Sequence, residues 1–215
     1  MPGTRRAALV VCAVAAVLLG LGGGFGWYAG FHNTGLNRNF DPQRMAASET
    51  RMWRAYYGGR MGALALEMAG VMREQMGASL WTTKEVIEPM AEGTRIFARG
   101  PGNYNGEVLP KLETSYERLG RALGRDWDAH EVAQAELAWW VARRTPGEDS
   151  PEQVGAKIAH LYVLIYERQN TDVQQAGVLR ARAAALRDAG GQNADWPAIE
   201  ALLLESYTAL RRGVQ

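Results

Sequence analysis

One cysteine, Cys12, and three histidines, His32, His130 and His160, are the whole stock of thiol and imidazole in this 215-residue chain. A lone cysteine excludes an intrachain disulfide, a cysteine-based zinc site and a haem-attachment motif. Cys12 follows Leu9-Val10-Val11, which lacks the small residue a lipoprotein anchor needs, so it reads as a packing residue. A di-iron bundle places Glu three residues before His, but Ala29, Trp127 and Lys157 stand there instead. His-Glu-x-x-His, the Gly-x-Ser-x-Gly elbow and the phosphate-binding P-loop are missing. Gly20–Gly26 imitates a dinucleotide fingerprint, but Phe25 occupies its sixth position. Charge of one sign is lacking too. The net value is +1, which supplies no basic footprint for nucleic acid. No stretch alternates with period two, so strands are not expected, and no fixed repeat suggests a solenoid. Catalytic residues, metal ligands and cofactors are therefore not assigned.

What the chain does have begins at its N-terminus. Ala7 to Phe31 contains no charged residue, and about 20 apolar residues suffice for a helix to cross a bilayer. Trp27 and Tyr28 lie near the far end, where aromatic rings favour the interface. Arg5 and Arg6 flank the near end, which places residues 1–6 in the cytoplasm, 7–31 in the inner membrane and the remainder on the periplasmic side. A cleaved signal peptide is the alternative, and it sends the domain to the same compartment. Ala8, Cys12, Ala16, Gly20 and Gly24 recur every four residues, a stripe that would let a second membrane helix approach closely. Gly and Ala are also simply common in membrane helices.

Residues 32–40 show no period and read as a linker to a domain spanning 41–215. Asp41-Pro42 supplies an N-cap with Pro at the first helical position. A stripe of Trp53, Tyr57, Met61, Leu64, Met68, Met72 and Met76 follows, which predicts one helix, kinked at Gly58-Gly59 and ending at Gly77. Thr82-Thr83-Lys84-Glu85 resembles a capping box for the next helix. The later helices open at Asp128, Ser150-Pro151, Thr171 and Asp195-Trp196-Pro197, and stops fall at Gly100-Pro101, Gly124, Pro146-Gly147 and Gly190-Gly191. The expected fold class is all-α, an irregular bundle of about seven helices behind one transmembrane helix.

Two clusters are candidate sites. Arg60, Glu67 and Gln75 share one helix, with Gln75 on its apolar side. A polar pocket between helices would use them, and a rim ion pair with a satisfied core amide is the simpler account of them. Glu136, Trp139, Trp140, Arg143 and Arg144 form the second. Adjacent tryptophans diverge by about 100° on a helix, so one of them is available for a partner interface unless the helix is buried on two sides.

Met52-Trp53-Arg54-Ala55-Tyr56-Tyr57, Arg73-Glu74-Gln75-Met76-Gly77, the run from Glu136 to Arg144 and Asp195-Trp196 together resemble an uncharacterised group of bacterial membrane-anchored all-helical proteins, over most of residues 45–210. That resemblance implies a shared fold and carries no catalytic residue. The functional expectation is a non-catalytic accessory or scaffold subunit of a larger membrane assembly, photosynthetic or respiratory by analogy. Its partners would be the membrane and other integral membrane subunits. The alternative is a membrane-tethered module holding a small ligand or envelope component in an interhelical pocket.

Overall fold

The computed structural model describes residues 30–215. The segment expected to span the membrane, residues 7–31, lies outside the described residues up to position 29, as does the whole Ala8–Gly24 stripe. No helix among the described residues is long and apolar enough to cross a membrane.

From Pro42 onward all the regular structure is helical, without strands among the described residues. Eight long helices build the bundle: α1 (Pro42–Tyr57), α2 (Met61–Met76), α3 (Leu80–Ala98), α5 (Leu109–Leu123), α6 (Ala129–Ala142), α7 (Pro151–Tyr166), α8 (Thr171–Gly190) and α9 (Trp196–Val214). A single turn, α4 (Tyr104–Glu107), leads into α5, and a 3-10 turn (Gly191–Asn193) follows α8.

Most boundaries obey local rules. Asp41, Asp128, Ser150 and Asp195 each cap a helix through the side chain, accepting a backbone N–H of the first turn. Ser150 and Gln153 also bond side chain to side chain at 2.8 Å. Gly77 and Gly124 end α2 and α5 in the left-handed region that other residues resist.

Three expectations need correction. The stripe from Trp53 to Met76 is two helices, not one. Gly58 caps α1, Gly59 has φ +66°, and the Arg60 amide returns to the Ala55 carbonyl at 2.9 Å. The chain reverses there, and α2 packs back along α1 with Arg51–Glu67 (2.7 Å) and Arg44–Glu74 (3.4 Å) across the hairpin. Two consecutive glycines removed the side chains that would have penalised the turn. The cap of α3 is Ser79, not Thr82. Its hydroxyl accepts the Thr82 amide at 3.1 Å, and the supposed capping box lies one turn inside the helix. Likewise Asn170 caps α8, one residue before Thr171.

Pro89 sits within α3, where it cannot donate to the Glu85 carbonyl. The Arg118 guanidinium on α5 donates to that carbonyl at 2.8 Å, so the neighbouring helix satisfies the orphan acceptor.

The helices run up and down, and each packs against two others in the cyclic order α1, α9, α8, α7, α6, α5, α3, α2. The seam between α2 and α3 is the slightest. The tightest crossing joins α7 to α8. A Cβ at Gly155 would stand 2.5 Å from the Val178 Cα, and one at Gly177 would stand 2.8 Å from the Ala159 amide nitrogen. Two glycines facing each other let these backbones meet.

Because the helices alternate, the loops divide between two ends. Residues 58–60, 99–103, 143–150 and 191–195 lie at one end. Residues 77–79, 124–128 and 167–170 lie at the other, together with the entering segment 32–41 and the C-terminus.

Candidate functional site

The bundle interior is not purely apolar. Glu49 on α1 follows Met45 and Ala46 on the buried stripe and is only 1% exposed. Its Oε1 accepts both Nε (3.0 Å) and Nη2 (2.6 Å) of Arg180 on α8. Its Oε2 accepts the Tyr207 hydroxyl of α9 at 2.5 Å. On the opposite side of the interior, Glu136 of α6 accepts the Tyr116 hydroxyl (2.9 Å) and the Trp140 indole N–H (2.8 Å), one on each carboxylate oxygen. Arg180 bridges the two groups. Its guanidinium lies 5.3 Å from the centre of the Trp139 ring and borders Tyr162 of α7.

The electrostatics follow from this geometry. Burial opposes the charge on Arg180, but Glu49, Tyr162 and Tyr207 outweigh it and hold the guanidinium well above its ordinary range. Burial, reinforced by the Glu136 charge, pushes the Tyr116 hydroxyl well up. Tyr207 is raised the same way, by burial and then by Glu49. Burial pushes Tyr162 up to about 12, with Arg180 pulling it back. All four carboxylate oxygens already have protein donors. Such an arrangement clamps helices α1, α5, α6, α8 and α9 together.

The first predicted cluster is spread along α2. Arg60 is exposed at the N-terminal end, Glu67 is held by Arg51, and Gln75 is buried fifteen positions beyond Arg60, about 22 Å along the axis at 1.5 Å per residue. Gln75 meets Tyr166 of α7, whose hydroxyl burial raises and Gln75 draws back. The three residues do not converge.

The second cluster does converge, on partners within the chain. Trp139 and Trp140 are half-buried and meet edge to face at 6.1 Å. Arg143 binds Asp188 of α8 at 2.5 Å. Arg144 donates to the Phe97 carbonyl at 2.6 Å and lies 3.9 Å above the Phe97 ring. The helix is buried on two sides, which is why adjacent tryptophans both find cover.

The surface carries two features. A groove of about 740 Å³ runs between α6 and α7, floored by Ala135, Ala138 and Ala156 and rimmed by Glu148, Gln153, Lys157 and His160. The other is α2 itself. Its ionic residues all turn inward to neighbours: Glu67 to Arg51, Glu74 to Arg44 and the Asp41 amide, Arg73 to the His32 carbonyl. Its exposed positions are then Met61, Gly62, Ala63, Ala65, Leu66 and Gly70, with Leu66 77% exposed. No group of three or more His, Cys, Asp or Glu among the described residues is placed to hold a metal ion.

Sequence reasoning missed the Glu49–Arg180 pair. The signal was present: Glu49 lies four residues from Met45, and Arg180 four from Ala176, each on its helix's buried stripe. Comparison with protein-family models, with curated proteins and with solved structures finds no match for this chain.

Proposed function

We propose that the protein is a non-catalytic accessory or scaffold subunit of a larger membrane assembly. The observation that carries this reading is α2. A helix that is apolar nearly all round belongs in a protein interior, yet α2 buries only Gln75 and Met76. Its outward face joins a large apolar knob, Leu66, to small residues four positions either side, Gly62 and Gly70. That relief suits the ridge of a partner helix. Exposed contiguous apolar surface on an otherwise charged domain marks an interaction site. The saturated carboxylates of the interior add support, because they hold the fold rigid behind such a surface.

The test is native mass measurement after gentle solubilisation of the full chain. The wild-type protein should appear above its 23.6 kDa protomer mass, in a complex of fixed composition. Leu66→Glu should dissociate that complex while the helical content stays unchanged, since Leu66 is bound to little within the domain. A protomer-only mass for the wild type, or a complex indifferent to Leu66→Glu, overturns the reading.

A further inference from the structure

The extended segment that enters the domain is not a slack tether. The Thr34 amide donates to the Gly77 carbonyl at 2.7 Å, and the Asn37 amide to the Gln75 carbonyl at 3.0 Å. Asn33 accepts the Ser79 amide at 2.7 Å and donates to the Ala122 carbonyl at 3.1 Å, so it ties α3 and α5 at once. Arg73 donates to the His32 carbonyl at 3.0 Å, and Arg38 to the carbonyls of Tyr166 and Val214 at 2.7 and 3.1 Å. Gly77 is packed so closely on Gly35 and Thr34 that a Cβ there would overlap them. Residues 32–38 are thus fastened to α2, α3, α5, α7 and α9, and the direction in which the chain leaves at residue 31 is fixed relative to the bundle.

At that exit lies an apolar surface that the domain leaves uncovered. Leu80 and Trp81, in the first turn of α3, are 56% and 51% exposed. The Trp81 ring meets Phe31 at a tilt with centroids 6.2 Å apart, and Lys84 reaches over it at 5.4 Å. Large exposed apolar side chains capped by a lysine are the composition of a bilayer interface, where rings sit at headgroup depth and the ammonium reaches anionic lipid. Phe31 is also the last residue of the uncharged run beginning at Ala7. The surface is therefore continuous in sequence with the segment that reads as the membrane span.

We infer that Phe31, Leu80, Trp81 and Lys84 dock this end of the bundle into the lipid headgroup layer. The domain stands on the membrane in one orientation and does not swing from a linker. The inference rests on the membrane-anchor reading of residues 7–31 and deepens the scaffold proposal. With this end down, Leu66 lies ten positions before Met76 on α2, about 15 Å up from the membrane end of that helix. The apolar face of α2 is then held clear of lipid, at the height of a neighbouring subunit's extramembrane part.

The experiment uses the full chain in phosphatidylcholine vesicles containing a minor fraction of phosphatidylglycerol. Cys12→Ser removes the native thiol, and Leu80→Cys, Trp81→Cys or Gln192→Cys then places one environment-sensitive fluorophore. Gln192 is exposed at the opposite end of the bundle. Labels at positions 80 and 81 should be blue-shifted and quenched by nitroxide-bearing lipid at least about twofold more than the label at 192, with aqueous iodide showing the reverse order. Leu80→Cys covers the case in which Trp81→Cys unfolds the protein, with circular dichroism as the check. If the chain floats with the vesicles but all three labels respond alike, docking is wrong and the anchor stands. If the chain does not float with them, the anchor reading falls and docking falls with it.

Discussion

Truncating Glu49 to alanine removes the acceptor for two Arg180 donors and the Tyr207 hydroxyl in a single step. Arg180 then keeps no direct carboxylate partner, because Tyr162 and Trp139 beside it bring no negative charge and Glu136 is already engaged by Tyr116 and Trp140. Breaking a buried ion pair from one side typically costs about 3–5 kcal/mol. A domain of this size loses roughly 2–4 °C of Tm per kcal/mol, so the melting midpoint should fall by roughly 6–20 °C. The assay is thermal unfolding of the detergent-solubilised full chain, followed by circular dichroism. Glu49→Gln keeps a neutral acceptor and should lose less. Combining Glu49→Leu with Arg180→Met and Tyr207→Phe should recover most of the loss, since a buried ion pair exchanged for apolar side chains of similar volume is often neutral or stabilising. A loss below about 1 kcal/mol for Glu49→Ala would show that solvent compensates Arg180, whose side chain is 18% exposed, and would refute the clamp.

Two further outcomes follow from the same interior. Tyr116, Tyr162 and Tyr207 all have hydroxyls raised by burial, Tyr162 to about 12, so their folded values exceed the unfolded ones. Their contribution is complete below the unfolded tyrosine value of about 10 and is lost as pH rises through the folded values, so alkaline unfolding should steepen from about pH 10 upward. Tyrosinate absorbance should then rise together with the loss of helix, and ionisation of these three without unfolding would contradict their burial. Gly177→Leu forces a side chain into the α7–α8 crossing beside Ala159, and denaturant titration should record a loss at or above the usual overpacking range of about 1–3 kcal/mol; a neutral result would mean the two helices can separate freely.

The helical class and most helix ends were legible because they are local properties. Asp41-Pro42, Ser150-Pro151 and Asp195-Trp196-Pro197 specify starts, and Gly77 and Gly124 specify stops, without reference to the rest of the chain. The reversal at Gly58–Arg60 was hidden because the apolar period of α1 runs on into α2. That period normally marks a buried face, and on α2 it is only half covered before Met76 and exposed at Met61. Periodicity reports where apolar residues are and cannot say whether another element reaches them. The interior network stayed hidden for the converse reason. A charge is read as solvent-facing by default, and only pairing between helices 131 residues apart identifies Glu49 with Arg180. Arg143 and Arg144 were picked out as interface candidates by composition, and their carboxylate and carbonyl partners came from α8 and α3, which no local pattern specifies.

The account stands or falls on whether the outward face of α2 meets a protein. A photo-crosslinking amino acid placed at Leu66 in the full chain, irradiated in intact native membranes, measures this directly. The exposed Gln174 on α8 serves as the control position. The account predicts one discrete protein adduct from position 66, weakened when Met61→Glu is added and absent from position 174. Adducts of equal yield at both positions, only lipid adducts at 66, or no adduct at all would contradict it.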